Sequence, residues 1–412
     1  MSAPTAPMAD SVEFNPYSET FFNNPYDTYR RLRDEAPLYH NAEYGFWAIS
    51  RYEDIAPAYK DSATFSSAKG VTLDMIKIAE LLKGIPPQLI MLDPPEHDRM
   101  RRLVSKAFTP RAVKSWADLV TETIHGFFDD IADPTSFDAV GEFAALFPVE
   151  IICRILGVPA EYRQQIRLWI DTYLAREPGN MMMSQAGAEA SIAMGQFFEA
   201  LLAERKAAPR DDMLSELIAA EYVDTDGETK RLSDEEIIGF CRLLGGAGAE
   251  TVTKLISNAL VVFADHPDQW EALRQDRDKV PDAIEELVRF DGPLQYNFRV
   301  TTREVTFYGE TIPADSPIML ITGAANRDDR VFENPDVFDI NRKRPFGYNL
   351  GFGYGTHSCL GAPLARMESR VALNLLLDKL PRYEIDRSNL SRVSMTNVAG
   401  WKSVPVRALP AE

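Results

Sequence analysis

The cysteines stand at 153, 241 and 359, with no CxxC pair, so neither a disulfide framework nor a zinc site is indicated. Any working cysteine works singly, and Cys359 is the candidate. It lies in GFGYGTHSCLG, residues 351–361, just ahead of a strongly helical segment. Its sulfur is therefore expected beside unpaired backbone N–H groups at the positive end of a helix dipole, a setting that stabilises a thiolate. Gly353, Gly355 and Gly361 allow a tight turn and the approach of something flat and bulky. A buried structural cysteine in a glycine-rich turn would use the same residues. A second group, AGAET at 247–251, puts small residues, an acid and an alcohol in succession inside a long helical pattern. A mid-helix glycine costs about 1 kcal/mol relative to alanine, so Gly245, Gly246 and Gly248 imply that something needs the space: a closely packed helix or a ligand. A phosphate loop is disfavoured, because the lysine of GxxxxGK is missing. EELVR at 285–289 sets Glu286 and Arg289 a turn apart, where they can pair, and HDRMR sets His97 and Arg101 on one helix face. Either spacing alone also describes an ordinary surface pair.

Taken together, these groups resemble the cytochrome P450 family. FGYGTHSCLG matches FxxGxHxCxG at Phe352, Gly355, His357, Cys359 and Gly361; AGAET matches (A/G)Gx(D/E)T at Ala247, Gly248, Glu250 and Thr251. Glu286 and Arg289 supply ExxR between them, in the family's order, and the likeness spans roughly residues 25–405. It implies the cytochrome P450 fold, mainly α with minor β, with a long central helix over haem b (iron protoporphyrin IX) and a proximal cysteine loop. Cys359 would give its thiolate to the iron, pushing electron density that favours O–O cleavage. Phe352 would pack near the sulfur, with Gly361 closing the loop. His357, His97, Arg101 and Arg299 would hold the haem propionates through charge-assisted contacts. Ala247 and Gly248 would leave room for dioxygen, Thr251 would hydrogen-bond to it or to an ordered water, and Glu250 would help relay protons. Glutamate in place of aspartate leaves the relay geometry open. Glu286 and Arg289 would be structural, holding the cysteine loop.

Several elements must position these residues. NPYDTYRRLRDEAP (24–37) has helical spacing and LYHNAEYGFWAISRY that follows reads as strands. From about 97 to 275 the pattern is repeatedly helical, broken by turns such as GVPAE and REPGN. The segment 232–265 opens with a capping signature, Ser233 and Glu236, and stays periodic for about nine turns. Strand-like FRVTTREVTFYGETIPADSPIMLI (298–321) follows, and APLARMESRVALNLLLDKL is the last strong helix. Residues 1–15 read as a flexible start and 16–412 as a single cytochrome P450 domain.

Hydrophobic residues are 45% and charged residues 26%, the balance of a chain with a sizeable core, and a net charge of −18 argues against nucleic acid or anionic membrane as partner. With no membrane anchor and no fused reductase apparent, the expectation is a cytoplasmic monomer supplied with electrons by an iron-sulfur ferredoxin and its ferredoxin reductase. Arg101, Arg102, Lys106, Lys343, Arg344 and Arg366 would form the basic docking face. The resemblance implies a monooxygenase that inserts one oxygen atom from O2 into an apolar substrate: terpenoid, steroid, fatty acid or aromatic. Its pocket maps onto Leu243, Leu244, Ala247, Leu294, Tyr296, Asn297 and Val398, onto the loop at 66–90, and onto WIDTYLAREPGNMMMSQ. Tyr296 and Asn297 would anchor a ligand oxygen or else bond backbone. The alternatives are a peroxide-driven or O2-independent haem-thiolate enzyme, and a non-catalytic haem protein.

Overall fold

The computed structural model describes residues 12–80, 88–223, 227–343 and 349–410. It is 54% helical with 13% strand, the mainly α class expected. The organising element is the helix Asp234–Asp265. Ser233 caps it, accepting from the Glu236 N–H while the Glu236 side chain accepts from the Ser233 N–H, and Asp234 and Glu235 complement the dipole. Every residue from Val252 to Phe263 is buried, so this half is enclosed on all faces, and its polar residues Thr253, Ser257 and Asn258 donate to backbone carbonyls. The helices Phe147–Leu156, Ala160–Leu174, Gln185–Ala207 and Ala362–Lys379 pack around it. At Gly245 a Cβ would make only ordinary contact, 3.9 Å from Ile170 Cδ1, so packing alone does not require glycine there.

The minor β region is chiefly one sheet. Its strand order is Leu38–Asn41, Phe46–Ile49, Pro317–Leu320, Asn297–Thr301 and Phe65–Ser66. The first two form a hairpin, Pro317–Leu320 runs parallel to the second, and Ile318 pairs with Arg299 across the next antiparallel ladder. Asn297–Thr301 is buried along its whole length. That places Arg299 inside the molecule, 3% exposed.

Residues 1–11 of the expected loose start lie outside the described residues, as do 81–87 of the loop at 66–90 and Arg344 of the basic cluster. Phe14 departs from that expectation. It is 2% exposed, packs edge-on against Phe21, Tyr39 and Phe46, and its carbonyl accepts from Asn41 Nδ2 at 2.9 Å. An aromatic ring outweighs the polar residues around it, so the chain is already docked by residue 14.

Candidate active site

The loop ahead of Ala362–Lys379 is built on two left-handed glycines, Gly353 (φ 68°) and Gly355 (φ 70°), conformations that a side chain would strain. Cys359 N–H donates to Phe352 O at 2.7 Å, closing the loop. The Gly361 and Ala362 N–H groups lie near the Cys359 sulfur and favour its thiolate, as the position ahead of a helix requires, while Ala362 N–H donates to Cys359 O at 3.4 Å. Cys359 is open to the cavity beside it and removed from bulk water. Burial raises its thiol above the usual range, opposed by those two N–H groups and by the Arg101 and Arg366 guanidinium groups. Cys153 and Cys241 are buried elsewhere, and burial pushes the Cys241 thiol up to about 12.

A cavity of about 370 Å³ runs from this loop to the long helix. On the loop side its wall holds Phe352, His357, Cys359, Gly361, Arg101 and Arg299; on the helix side it holds Ala247, Gly248, Glu250 and Thr251. Thus two segments a hundred residues apart face one space. Gly246 leaves nothing within 4 Å of where a Cβ would stand, and a Cβ on Gly248 would touch Ile152 at 3.4 Å, so the glycines make room both for the cavity and for a packed neighbour. Thr251 Oγ1 donates to Ala247 O at 2.8 Å, leaving its lone pairs for the cavity.

Glu250 is 4% exposed, with Lys254 Nζ 3.2 Å from its Oε2, ion-pair range without hydrogen-bond geometry. On the other side it hydrogen-bonds to Asp171 of the helix Ala160–Leu174, whose carboxyl is pushed up to about 7 by burial and then by Glu250 itself. Nothing in the sequence around Asp171 marks this contact.

Arg299 spends one donor on Phe298 O, at 2.7 Å, and lies over the Tyr59 ring. Arg101 Nη2 donates to Ser358 O at 2.8 Å. His357 pairs with Ser67 Oγ at 3.3 Å, and burial, then the charges of Arg299, His97 and Arg101, push its imidazole down to about 3, so it is neutral. His97 does not line the cavity; its ring sits edge-on against His357 at 4.5 Å, with Nδ1 on Asp98 and Nε2 buried without a partner.

Of the pocket residues expected, Leu243, Leu244, Ala247, Leu294, Asn297 and Val398 line the cavity, and a bridge pairs Leu294 with Val398. Tyr296 does not line it. Successive strand residues face opposite ways, and Tyr296 is buried on the far side, donating to Thr396 O at 2.6 Å. Asn297 does face the cavity, but its Nδ2 donates to Tyr59 Oη at 3.1 Å. From the loop at 66–90, Val71, Thr72 and Met75 contribute, and from the segment after Trp169, Tyr173, Leu174 and Arg176; Met181 to Met183 do not. Ile152, Met194 and Phe240 were not foreseen as lining residues, since each reads as plain core in its helix.

Glu286 and Arg289 form a buried bidentate pair at 2.7 and 2.8 Å. Arg289 also donates to Asn326 O and Pro335 O, and Arg342 Nε reaches both Glu286 oxygens. Asn326 Oδ1 in turn accepts from Leu350 N–H at 2.7 Å, and Leu350 O from Gly353 N–H at 2.8 Å, a continuous link to the cysteine loop.

The comparisons agree with this architecture. The Cytochrome P450 family model matches residues 23–381. The putative cytochrome P450 123 of Mycobacterium tuberculosis is 41% identical over 394 residues, covering 95% of this chain and 96% of that protein. The vitamin D(3) 25-hydroxylase of Pseudonocardia autotrophica is 35% identical, covering 96% of each. Among solved structures, cytochrome P450 CYP109Q5 from Chondromyces apiculatus superposes with a TM-score of 0.85 at 33% identity, covering 97% of this chain and 99% of that one. The chain belongs to the cytochrome P450 family, whose members bind haem and act as monooxygenases.

Proposed function

We propose that this cytochrome P450 oxygenates an apolar organic substrate held between the long helix and the cysteine loop, with Cys359 as the haem ligand and a ferredoxin as electron donor. The observation that carries the reading is the sulfur of Cys359, near the Gly361 and Ala362 N–H groups in the wall of a cavity whose opposite wall is Thr251. The residues fit a haem. His97 Nε2, behind the lining residue His357, is a buried donor or acceptor without a partner, and Arg299 and Arg101 bring two cations to the cavity wall, which suits a group bearing two carboxylates. The haem would supply the activation of O2 at an iron bound by thiolate.

The chain's own contributions follow from its atoms. Thr251 Oγ1, its proton committed to Ala247 O, accepts a hydrogen bond from the cavity. Glu250 passes protons between Asp171 and the cavity, since it touches both. Aliphatic side chains such as Leu243, Leu244, Leu294 and Val398 keep water from the substrate and orient a hydrocarbon skeleton. The substrate would be of terpenoid, steroid, fatty acid or aromatic type; a similar structure, a P450 of Bacillus megaterium in complex with testosterone (32% identity, TM-score 0.85), supports the steroid among these.

The acidic ferredoxin would dock on the face behind the cysteine loop. Arg102, Lys106 and Lys343 are exposed there or in adjoining segments and form no ion pair among the described residues. Two cations expected on that face are otherwise engaged: Arg101 turns inward to Ser358 O, and Arg366 pairs with Glu285 and lies over the Phe352 ring at 4.3 Å. Among the described residues no helix is long and apolar enough to cross a membrane. The test is the ferrous–carbonyl spectrum of purified protein. The red-shifted Soret band of thiolate ligation is expected, lost in Cys359→His; a wild-type spectrum in that variant would overturn the assignment. Ferredoxin-driven reduction should slow with added salt, and more weakly so in Arg102→Glu.

A further inference from the structure

Of the charged side chains in the cavity wall, two are neutralised within the protein, and two others, Arg101 and Arg299, stand on the cysteine side as the cations assigned above to the haem carboxylates. Arg176 donates to Asp74 at 2.6 Å in a buried ion pair, and Glu250 faces Lys254 and Asp171. Arg242, on the long helix, is different. It lines the cavity, yet among the described residues no carboxylate stands within ion-pair distance of it. Its Nη2 donates to the Ser191 hydroxyl at 2.6 Å, its Nε is buried without a partner, and its guanidinium lies against Gly195 of the helix Gln185–Ala207. A hydroxyl leaves the charge uncompensated. A cation facing an apolar cavity is costly unless an anion joins it, and a guanidinium offers a carboxylate a fork of parallel N–H groups.

We propose that Arg242 is a substrate anchor, and that the substrate is an apolar chain ending in a carboxylate. The inference rests on the reading of this cavity as the substrate site. The helix sets the reach. Thr251 lies nine positions on from Arg242, about 13 Å along the axis at 1.5 Å per residue and half a turn around it at 3.6 residues per turn, so a chain reaching both curves around the helix. Gly246, one turn beyond Arg242, carries no side chain and has nothing within 4 Å of its missing Cβ, so the wall between anchor and Thr251 is open. The intervening wall is apolar, with Leu243, Leu244 and Ala247. A carboxylate held at Arg242 therefore presents a carbon well down its chain to the Thr251 and Cys359 end, and leaves the carbons near the acid unreacted. Tyr173, another wall residue close enough to feel the Arg242 charge, can add a phenolic hydrogen bond to the same anion.

The test compares dodecanoate with methyl dodecanoate, which differ in charge but share the chain, binding to the haem-loaded enzyme by calorimetry and by the Soret shift. Wild type is expected to bind the acid at least tenfold more tightly than the ester. Arg242→Met should abolish that preference by weakening the acid alone, and Arg242→Lys should keep part of it. Equal affinity of wild type for acid and ester, or failure to bind either, overturns the proposal, as does an acid preference that survives in Arg242→Met. If Arg242→Met lost the ester as well, loss of preference in Arg242→Lys relative to wild type would decide for the guanidinium, and its full retention against it. The thiolate Soret band is read in the same samples, so failure of the anchor is separable from failure of the haem assignment.

Discussion

The carboxyl of Asp171 and the carboxyl of Glu250 meet between two helices, sharing a hydrogen bond that only one proton can make. Arg167, at 2.9 Å, and Lys254 favour the charged form of Asp171, but burial and Glu250 outweigh them and push it up to about 7. Asp171 therefore carries the proton below neutrality and can hand it to Glu250. Turnover limited by proton delivery is expected to fall as pH rises through about 7, and Asp171→Asn should lower the rate and remove that limb. The stability sign is the same. A carboxyl raised in the folded state contributes fully below its unfolded value and loses that contribution as pH rises through 7, so thermal melts from pH 5 to 8 should flatten in the variant. A limb of unchanged position in Asp171→Asn would remove Asp171 from the relay.

His97 Nε2 is buried without a partner behind His357, which does line the cysteine side of the cavity. A hydrogen bond of about 1.4 kcal/mol corresponds to about tenfold in affinity. His97→Phe should keep the far-ultraviolet circular dichroism of the wild type while haem transfer to apomyoglobin speeds about tenfold, with His97→Gln between the two. An unchanged transfer rate in His97→Phe would separate this residue from the haem.

The cysteine loop and the long helix were legible because their signals are local. Glycines at fixed offsets from Cys359 and a Ser233–Glu236 capping box need no knowledge of the rest of the chain. The Asp171–Glu250 contact was not, because it joins two helices whose relative rotation is set by packing. The pocket was legible as segments rather than as residues: strand alternation turns Tyr296 away while its neighbour Asn297 faces in, and the register that decides which is which depends on the ladder to Pro317–Leu320. Phe14 was hidden by the polar residues around it, since composition over a window cannot see one ring with a place to dock.

Gly355 combines two constraints. Its φ of 70° is left-handed, and a Cβ there would stand 2.5 Å from the Tyr59 carbonyl oxygen and 3.0 Å from Lys60 Cα, both backbone atoms of a helix. Gly355→Ala therefore costs about 1–2 kcal/mol for conformation alone, with the clash added. Because the strain falls between His357 and the Leu350 link, haem content on purification should drop more than helicity does. Full haem content in Gly355→Ala would show that the loop can yield without moving Cys359.

At the Glu286–Arg289 pair a substitution outside the cavity wall should disturb thiolate ligation of the haem. Glu286 accepts from Arg289 and Arg342 and from the Asp339 N–H, and is 1% exposed. Removing its charge leaves two guanidinium groups, both nearly buried, without a counter-ion. Breaking a buried pair on one side costs about 3–5 kcal/mol. Glu286→Gln tests this with shape retained. The carbonyls of Asn326, Pro335 and Val337 lose the arginine that gathers them, and through Asn326 Oδ1 the effect reaches Leu350 and the cysteine loop. The expected result is a lower denaturation midpoint together with a ferrous–carbonyl band shifted toward the unligated-thiolate form, in proportion to each other across Glu286→Gln, Arg289→Lys and Arg342→Gln. A variant that lost stability but kept the wild-type band would confine the network to scaffolding of its own segment and cut the proposed connection to Cys359.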